Sequence, residues 1–394
     1  MVGSERRYQA FLEARGREGL RRYLTQVASL DARIISVEGR SYVNLASNDY
    51  LALRFHPALI KRALEWAKAY GVGSGASRLV TGNLDLFAPL EGKVAKLKRK
   101  PAALIMASGF QTNGAVLQAL LDRSVLGAEP LVFADRLNHA SMHFGCNAAG
   151  VRQLRYRHCD AGHLGELLGQ YQDDSRPRFI LTESVFSMDG DVAPLGEIAQ
   201  LARAHGATLV VDDAHATGIL GAAGRGFSGE ADIAIGTFSK ALGGFGGYVA
   251  CSETVRDYLI NGCSGLIYST ALPPPVLGAI DAALDLVLAM DAERARVASL
   301  ATRFRAGAAT IGLDTGASTT QIVPVILGSP EAAIAMSARL RQAGFWASSI
   351  RPPTVPAGTA RLRLAFSAAH EESDIDRLLD VIDTQDLAPR AGVM

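Results

Sequence analysis

The chain has 394 residues, of which 48% are hydrophobic and 20% are charged, and its formal net charge is +1. This composition predicts a folded, soluble protein with one large domain and a smaller one, and it gives no bulk electrostatic reason to expect binding to nucleic acid or to an anionic membrane. Because no apolar run approaches the roughly 20 residues that span a bilayer, and the charged N-terminus lacks a signal-peptide core, we expect a cytoplasmic protein. The 4 cysteines have no zinc-like spacing, so we expect free thiols and no metal site.

The N-terminal part of the chain predicts helices around one small extended segment. In chain order the predicted features are a basic helix over residues 1 to about 30, a hairpin turn at Glu38 and Gly39, an amphipathic helix closed by Gly71, a close-packed glycine-rich loop over residues 71–83, and a helix over residues 84–100 that carries surface lysines.

From Pro101 onward, short apolar strands alternate with helices. The strand-like runs are AALIMAS, PLVFAD, RFILTES, ATLVV and ADIAIG. This alternation predicts an α/β fold with a mainly parallel sheet that is covered by helices on both faces. Ligands of such sheets bind beyond the carboxyl ends of the strands. The side chains at or near those ends are Ser108, Gly109, Phe110, Asn138, His139, Glu183, Ser187, Asp212, His215, Thr237 and Lys240.

The C-terminal part of the chain predicts a separate α+β module. IYSTALPPP interrupts the pattern at residues 267–275, a long helix is expected from about 276 to 310, and strands and helices follow it. We therefore expect an N-terminal helix and extended segment over residues 1–50, a large α/β domain over residues 51–275 and a smaller α+β domain over residues 276–394.

Lys240 stands out by composition. Of the 40 lysines and arginines only 7 are lysines, and Lys240 is the only lysine after Lys100. Since arginine supplies the positive charge elsewhere, Lys240 is expected to provide what arginine lacks, namely an amine that loses its proton and attacks a carbonyl. The residue is therefore a candidate for a Schiff base. The alternative is a solvated surface lysine, but Lys240 lies between an apolar strand and a glycine-rich apolar run.

A Schiff-base lysine beside a strand-end carboxylate suggests pyridoxal 5'-phosphate as cofactor. Asp212 would keep the ring nitrogen of the cofactor protonated, and the strand-to-helix junction at Gly109 and Phe110 would offer backbone N–H groups to the phosphate. Thr237 would add a hydroxyl, and His139 would lie against the ring or act on the substrate. The alternatives are that Asp212 caps a loop and that His139 is structural.

Eight ordered motifs carry a family resemblance, namely SNDYLAL, ASGFQTNGAV, ADRLNHAS, TESVFSMDGD, VDDAHATGILG, GTFSKALGG, IYSTALPPP and IRPPTVPAGTARLRL. Over nearly the whole chain, the sequence resembles the α-oxoamine synthases, which are fold-type I pyridoxal phosphate enzymes. The resemblance implies an acyltransferase that condenses an amino acid with an acyl thioester and releases carbon dioxide. Ala52 stands in SNDYLAL where the family commonly has glycine.

The resemblance also implies roles for individual residues. The expected catalytic residues are Lys240, His139, Asp212 and His215. The expected cofactor-binding residues are Gly109, Phe110, His139, Ser187, Asp212, His215, Thr237 and Lys240, with Ser269 and Thr270 reaching the phosphate from the partner chain of a homodimer. The expected substrate-binding residues are Arg21, Asn48, Thr354 and Arg363, of which Arg363 would hold the carboxylate of the amino acid.

Within the family, the resemblance carried by SNDYLAL and PPTVPAGTARLRL implies L-alanine and a pimeloyl thioester, carried by CoA or an acyl-carrier protein, as substrates in biotin biosynthesis. A synthase that uses glycine, serine or alanine with another acyl-CoA needs the same residues. An aminotransferase would share Lys240 and Asp212 but would release a keto acid and no carbon dioxide. A non-catalytic binding protein would hold no cofactor.

Overall fold

The computed structural model describes residues 3–383 of the chain, which form two compact units. The larger unit comprises residues 48–187 and 191–297. The smaller unit comprises the described residues before Asn48, residues 188–190 and the described residues after Val297. The three-part division at residues 50 and 275 stays a prediction.

A seven-stranded sheet forms the centre of the larger unit. Its strands, in spatial order, are Ala102–Met106, Gly247–Cys251, Ile233–Thr237, Ala207–Asp212, Arg178–Glu183, Leu131–Asp135 and Gln153–Tyr156. Gly247–Cys251 runs antiparallel to both neighbours, and the remaining pairs are parallel. The predicted α/β class with a mainly parallel sheet is confirmed.

Alternate side chains of these strands belong to two different apolar clusters. Val132 and Ala134 lie in one cluster, whereas Leu131 and Phe133 of the same strand lie in the other. Successive side chains of a strand point to opposite faces of the sheet, so both faces are buried. This burial explains why the strands are continuous apolar runs rather than alternations of apolar and polar residues.

Helices alternate with these strands along the chain. The helices of the larger unit are Pro57–Tyr70, Phe87–Lys98, Gly109–Leu120, Arg123–Leu126, Ala140–Ala148, Ala161–Gln170, Leu195–Ala204, Glu253–Gly262, Ser264–Ile267 and Pro274–Val287. Shorter turns are the 3-10 helices Leu53–Phe55, Ala222–Gly224 and Ser228–Glu230 and the π-helical turn Arg78–Gly82. Across residues 3–383, we find no helix with the length and apolar character needed to cross a membrane.

The described part of the smaller unit contains two sheets. One has the strand order Ala28–Ser29, Ile34–Val37, Arg40–Asn44 and Phe345–Trp346, and the other has the order Ile322–Gly328, Ala360–Ala365 and Ser348–Ile350. Its helices are Gly3–Arg17, Pro330–Gln342 and Glu372–Ile382, and the boundary between the units falls within the helix Asp291–Thr310.

The predicted hairpin turn of the N-terminal segment is present. Val37 pairs with Arg40, and the two residues between them, Glu38 and Gly39, have φ values of 51° and 78°. Positive φ at both central residues is the signature of a type I′ turn, whose twist matches that of the flanking strands.

The predicted N-terminal helix is too long, because the helix ends at Arg17 rather than near residue 30. Gly19 has a φ of 65° just beyond it, and the Leu20 N–H donates back to the Arg15 carbonyl. A glycine in the left-handed region is a common way to end a helix.

The single helix predicted for residues 276 to 310 is also wrong, since two helices, Pro274–Val287 and Asp291–Thr310, occupy this region. The Arg294 guanidinium is buried and donates to the Val287 carbonyl at 2.6 Å. The Val287 carbonyl, at the end of the first helix, has no hydrogen-bond donor within that helix. The Arg294 side chain supplies one and so stabilises the break between the two helices.

Ala52 takes up a backbone conformation that usually belongs to glycine. Its φ and ψ are 60° and 30°, in the left-handed region. A Cβ atom makes this region unfavourable. Ala52 therefore keeps a left-handed backbone conformation that favours glycine, although the residue in SNDYLAL is alanine.

Lys98 is buried, although the sequence predicted surface lysines in its helix. Its ammonium donates to Asp213 Oδ2 at 2.5 Å and to the Arg225 carbonyl at 2.7 Å, and both members of the ion pair are fully buried. Burial alone would lower the pKa of Lys98, but Asp213 raises it above its ordinary value. Asp213 also accepts hydrogen bonds from Ser184 and Ser228, so this carboxylate is committed to the core.

A second ionic network holds the end of the strand Leu131–Asp135. His158 Nδ1 lies 3.0 Å from Asp135 Oδ1, and its Nε2 lies 2.8 Å from Asp191 Oδ2. Burial alone would lower the pKa of His158, but the hydrogen bonds to the two carboxylates raise it to about 12. The side chain is therefore an imidazolium that joins two acidic residues, and the nearby Cys159 is one of the free cysteines.

We predict that Lys98→Met lowers the free energy of unfolding by about 3–5 kcal/mol, because it leaves the charge of Asp213 buried without a cation. Equilibrium urea unfolding followed by circular dichroism measures the change. Lys96→Met is the matched control, because Lys96 is exposed on the same helix, and its effect should stay within about 0.5 kcal/mol. Equal stabilities of the two variants would contradict this account of the ion pair.

Candidate active site

A cavity of about 230 Å³ lies at the carboxyl ends of the central strands of the larger unit. Seven of the expected cofactor-binding residues line it together, namely Gly109, Phe110, His139, Asp212, His215, Thr237 and Lys240. They come from four different strand ends, so the parallel sheet accounts for their convergence.

Asp212 presents a carboxylate to this cavity. Its Oδ2 accepts a hydrogen bond from Asn113 Nδ2 at 2.6 Å, and its Oδ1 accepts one from the Ala214 N–H at 3.0 Å. Both donors are neutral, so a cation inside the cavity would stabilise the buried carboxylate. The adjacent Asp213 is paired with Lys98 instead. The two neighbouring aspartates therefore have different tasks.

His139 and Glu183 are neighbours in the cavity wall. The His139 backbone N–H donates to Glu183 Oε1 at 2.5 Å, and His139 Nδ1 lies 2.7 Å from Ser141 Oγ. Burial lowers the pKa of His139; Asp212 opposes this change and Lys240 reinforces it. Burial raises the pKa of Glu183 well above its ordinary value, with Asp212 reinforcing and Lys240 opposing the change. Burial therefore disfavours the charged forms of both side chains.

Lys240 lines the cavity just after the strand Ile233–Thr237 ends. Its charge acts on both His139 and Glu183, as their pKa shifts show. The next two residues, Ala241 and Leu242, are buried and anchor the backbone that carries the lysine. The amine therefore belongs to the cavity rather than to an open surface.

The helix Gly109–Leu120 begins at the cavity, with Ser108 as its N-cap. A Cβ atom on Gly109 would lie 3.3 Å from the Thr237 Cβ, so the absence of a side chain lets the helix start approach the neighbouring strand end. Unpaired N–H groups and the dipole at a helix start favour an anion. This edge of the cavity is suited to a phosphate.

Two hydroxyls lie at the same edge. Thr237 Oγ1 donates to the Gly246 carbonyl at 2.6 Å and accepts from the Ser239 N–H at 3.2 Å. The Thr237 hydrogen is thus engaged within the protein. The Ser239 hydroxyl, 2.8 Å from Thr237 Oγ1, is the one whose hydrogen can turn towards a ligand without breaking a bond to the backbone.

His215 is held by a fully buried tyrosine. The Tyr50 hydroxyl lies 2.7 Å from His215 Nδ1 and donates to Asn48 Oδ1 at 3.1 Å. Asn48, which the sequence nominated as a substrate ligand, therefore takes part in a hydrogen-bonding chain that orients His215.

Three of the predicted cofactor residues lie outside this cavity. Ser187 is half-buried and is not part of the cavity lining. Ser269 and Thr270 line a separate cavity of about 20 Å³ beside Arg78. Thr270 also forms a β-bridge with Ser77. These two residues therefore do not line the central cavity of their own chain.

Arg21, Thr354 and Arg363 belong to the smaller unit. The Arg21 guanidinium lies over the ring of Tyr23. Arg22 donates to Thr354 Oγ1 at 3.2 Å, and these two residues line a cavity of about 200 Å³. Arg363 is buried in the strand Ala360–Ala365. Arg22, and not Arg21, is thus the arginine that adjoins Thr354.

No functional role was predicted for several residues of the cavity wall. Asn113 and Ser141 lie in the helices Gly109–Leu120 and Ala140–Ala148, and their polar side chains are on the buried sides of these helices. Glu183 was visible as a strand-end side chain, but nothing in the sequence indicated its contact with His139. Such contacts depend on the register of neighbouring strands, which the sequence does not specify.

The raised pKa of Glu183 predicts a pH-dependent stability. The unfolded carboxyl ionises near its ordinary value of 4.5, whereas the folded one stays protonated to much higher pH. The native state therefore binds the extra proton, and the contribution of Glu183 to stability falls as pH rises above about 4.5. We expect Glu183→Gln to gain stability relative to the parent protein between pH 5 and pH 8, as measured by urea unfolding. A constant difference across this range would contradict the burial of a neutral Glu183.

Pyridoxal phosphate fits the groups present in the cavity. It needs an amine for its aldehyde, a carboxylate for its protonated ring nitrogen and N–H donors for its phosphate. Lys240, Asp212 and the start of the helix Gly109–Leu120 supply these groups. Because both hydrogen-bond donors to Asp212 are neutral, its negative charge can pair with a protonated ring nitrogen. The residues of the cavity therefore fit this cofactor.

Comparison with known proteins shows the family to which the chain belongs. The family model "Aminotransferase class I and II" matches residues 40–382. A protein of Gluconacetobacter diazotrophicus named 8-amino-7-oxononanoate synthase is 54% identical over 391 residues, covering 98% of each chain. A protein of Geobacter sulfurreducens with the same name is 46% identical and covers 91% of this chain and 93% of its own.

Solved structures show the same fold. Serine palmitoyltransferase of Sphingomonas wittichii superposes with a TM-score of 0.90 at 25% identity, covering 97% of each chain. A structure of a serine palmitoyltransferase with PLP has a TM-score of 0.87 at 26% identity, covering 95% of this chain and 96% of that one. The 8-amino-7-oxononanoate synthase of Francisella tularensis has a TM-score of 0.74 at 28% identity, covering 87% and 97%. The chain therefore belongs to the class I and II aminotransferase family, as a fold-type I pyridoxal phosphate enzyme of the α-oxoamine synthase group.

Proposed function

We propose that the protein condenses L-alanine with a pimeloyl thioester, releases carbon dioxide and forms 8-amino-7-oxononanoate in biotin biosynthesis. The observation that carries the reaction type is the convergence of Lys240, Asp212 and His139 on one cavity at the ends of three strands. The names of relatives that share about half of its residues over nearly the whole chain support the choice of substrates.

The cavity residues supply the proton transfers. When bound, pyridoxal phosphate accepts the electron pair left at the α-carbon of the amino acid. Asp212 holds a proton on the ring nitrogen through its charge. Lys240, with its amine released when the amino acid binds, removes the α-proton as general base. His139 donates a hydrogen bond to the oxygen that becomes negative when the thioester carbonyl is attacked.

We assign the remaining nominated residues to binding. His215 and Ser187 would contact the cofactor, and Arg363 would pair with the substrate carboxylate through two parallel hydrogen bonds. Arg21 and Thr354 would contact the acyl substrate. These roles rest on the family resemblance.

We further propose a homodimer in which Ser269 and Thr270 serve the phosphate of the partner's site. In support, neither residue lines the cavity of its own chain. Tyr268, directly before them, is 84% exposed, as expected of a side chain that a second subunit would cover. The cytoplasmic location remains a prediction.

A second candidate is a synthase with another amino acid or a longer acyl chain. Serine palmitoyltransferases match the structure over nearly its whole length, and their chemistry calls for the same amine, carboxylate and ring-contacting histidine. Fold similarity alone does not separate the two reactions.

A substrate panel distinguishes these candidates. We expect purified protein to release free CoA thiol and an amino ketone from L-alanine with pimeloyl-CoA, and to give at least about tenfold lower kcat/KM with L-serine or palmitoyl-CoA, a difference of about 1.4 kcal/mol. Thiol release and mass spectrometry measure the products. Turnover of palmitoyl-CoA but not pimeloyl-CoA would reject the proposed substrate and keep the reaction type.

Lys240→Arg and Lys240→Ala should both lower turnover by about 10²- to 10⁴-fold, because the arginine keeps the charge but cannot act as an amine base. Lys68→Arg is the matched control, since Lys68 is exposed on the helix Pro57–Tyr70, and it should turn over at the parent rate. A Lys240→Arg variant with near-normal turnover would overturn the proposed role.

A further inference from the structure

A chain of hydrogen bonds connects Asp212 with His139 through two helices. Asn113 Nδ2 lies 2.6 Å from Asp212 Oδ2 and 3.0 Å from Ser141 Oγ, and Ser141 Oγ lies 2.7 Å from His139 Nδ1. Asn113, Ser141 and Asp212 are each buried, with exposed fractions of 2%, 0% and 6%. These three side chains are therefore largely shielded from water, whereas His139, at the end of the chain, is exposed at the cavity.

The direction of each hydrogen bond follows from the chemistry of the donors. Asn113 turns its NH₂ group towards Asp212, whose Oδ2 atom accepts from Asn113 Nδ2. The second hydrogen of the same group points to Ser141 Oγ. The Asn113 Oδ1 atom is left buried with no hydrogen-bond partner among the described residues. The hydrogen bond from Asn113 to Asp212 is therefore formed although the amide oxygen of Asn113 is buried without a donor among the described residues.

Ser141 then has only one place for its own hydrogen. Because Ser141 Oγ accepts from Asn113, its O–H donates to His139 Nδ1. The Ser141 backbone N–H also donates to His139 Nδ1, at 3.3 Å. A ring nitrogen that accepts two hydrogen bonds carries no proton, so the proton of the neutral imidazole resides on Nε2.

We propose that Asn113 and Ser141 are positioning residues that fix His139 as its Nε2–H tautomer and tie its orientation to the carboxylate of Asp212. The Glu183 contact with the His139 backbone N–H at 2.5 Å restrains the same residue from the other end. His139 consequently presents an N–H donor to the cavity without carrying a charge. This inference deepens the proposed function and rests on it where it concerns the thioester oxygen.

The same arrangement explains how two distant tasks are coordinated. Asp212 serves the ring nitrogen of the cofactor and His139 serves the reacting carbonyl, yet one amide links them. Displacement of Asp212 would reorient Asn113, release Ser141 and allow the His139 proton to move to Nδ1. A role confined to helix packing would predict no such dependence.

Nitrogen NMR of the holoenzyme with ¹⁵N-labelled histidine tests the tautomer directly, with the His139 signal assigned from His139→Gln. We expect an unprotonated, pyridine-type signal at Nδ1 and a protonated, pyrrole-type signal at Nε2. Ser141→Ala and Asn113→Ala should shift the signals towards a mixture of tautomers, whereas Ser141→Thr, which keeps the hydroxyl, should preserve the parent pattern. A protonated Nδ1 in the parent protein, or no change in Ser141→Ala, would overturn the inference.

Kinetics provide a second readout. We expect Ser141→Ala to lower kcat about tenfold with little change in the KM for the amino acid, and to have no further effect in a His139→Gln background. Asn147→Ala, an exposed position on the same helix as Ser141, should retain the parent kcat. An additive loss in the double variant would reject action through His139. If no acyl thioester reacts, the proposed function fails, while the NMR result still decides the tautomer.

Discussion

The constraint on which this site depends is the burial of two adjacent carboxylates at the end of one strand. Burial of a carboxylate is unfavourable unless the group gains an ion pair or hydrogen bonds. Asp213 obtains a cation from Lys98 and is locked into the core. Asp212 has neutral donors instead and lines the cavity. The pairing of the first carboxylate fixes the backbone, so the second is presented rigidly to the cofactor site.

The parallel sheet brings side chains from several strands to the same cavity as Asp212. Each of the parallel strands ends at the same edge of the sheet, and the glycine at the start of the helix Gly109–Leu120 lets that helix approach Thr237 closely. Members of one fold family can therefore share the amine and the carboxylate while differing in substrate. In this chain three of the four residues nominated for the substrate, Arg21, Thr354 and Arg363, lie in the smaller unit, apart in sequence from the cofactor residues.

Local sequence signals predicted those features that depend on local physics. Apolar runs identified the central strands, and the scarcity of lysine singled out Lys240. The errors had different causes. Gly19 ends the first helix and Arg294 satisfies the carbonyl at a helix end, both through local contacts, whereas Lys98 is buried by a partner far away in sequence. Asn113 and Ser141 acquire meaning only through Asp212 and His139, whose proximity is a product of tertiary structure. The resemblance supplied substrate assignments that no local pattern contained.

The central claim is that Lys240 is the amine that holds the cofactor while Lys98 is structural. Borohydride reduction of the purified holoenzyme, followed by peptide mapping, tests it most directly, because reduction makes the bond between lysine and cofactor permanent. The account predicts loss of the visible absorbance band and a pyridoxyl label on Lys240, with no label at that position in Lys240→Ala. A protein without the band, or a label on any of the other lysines, would contradict it.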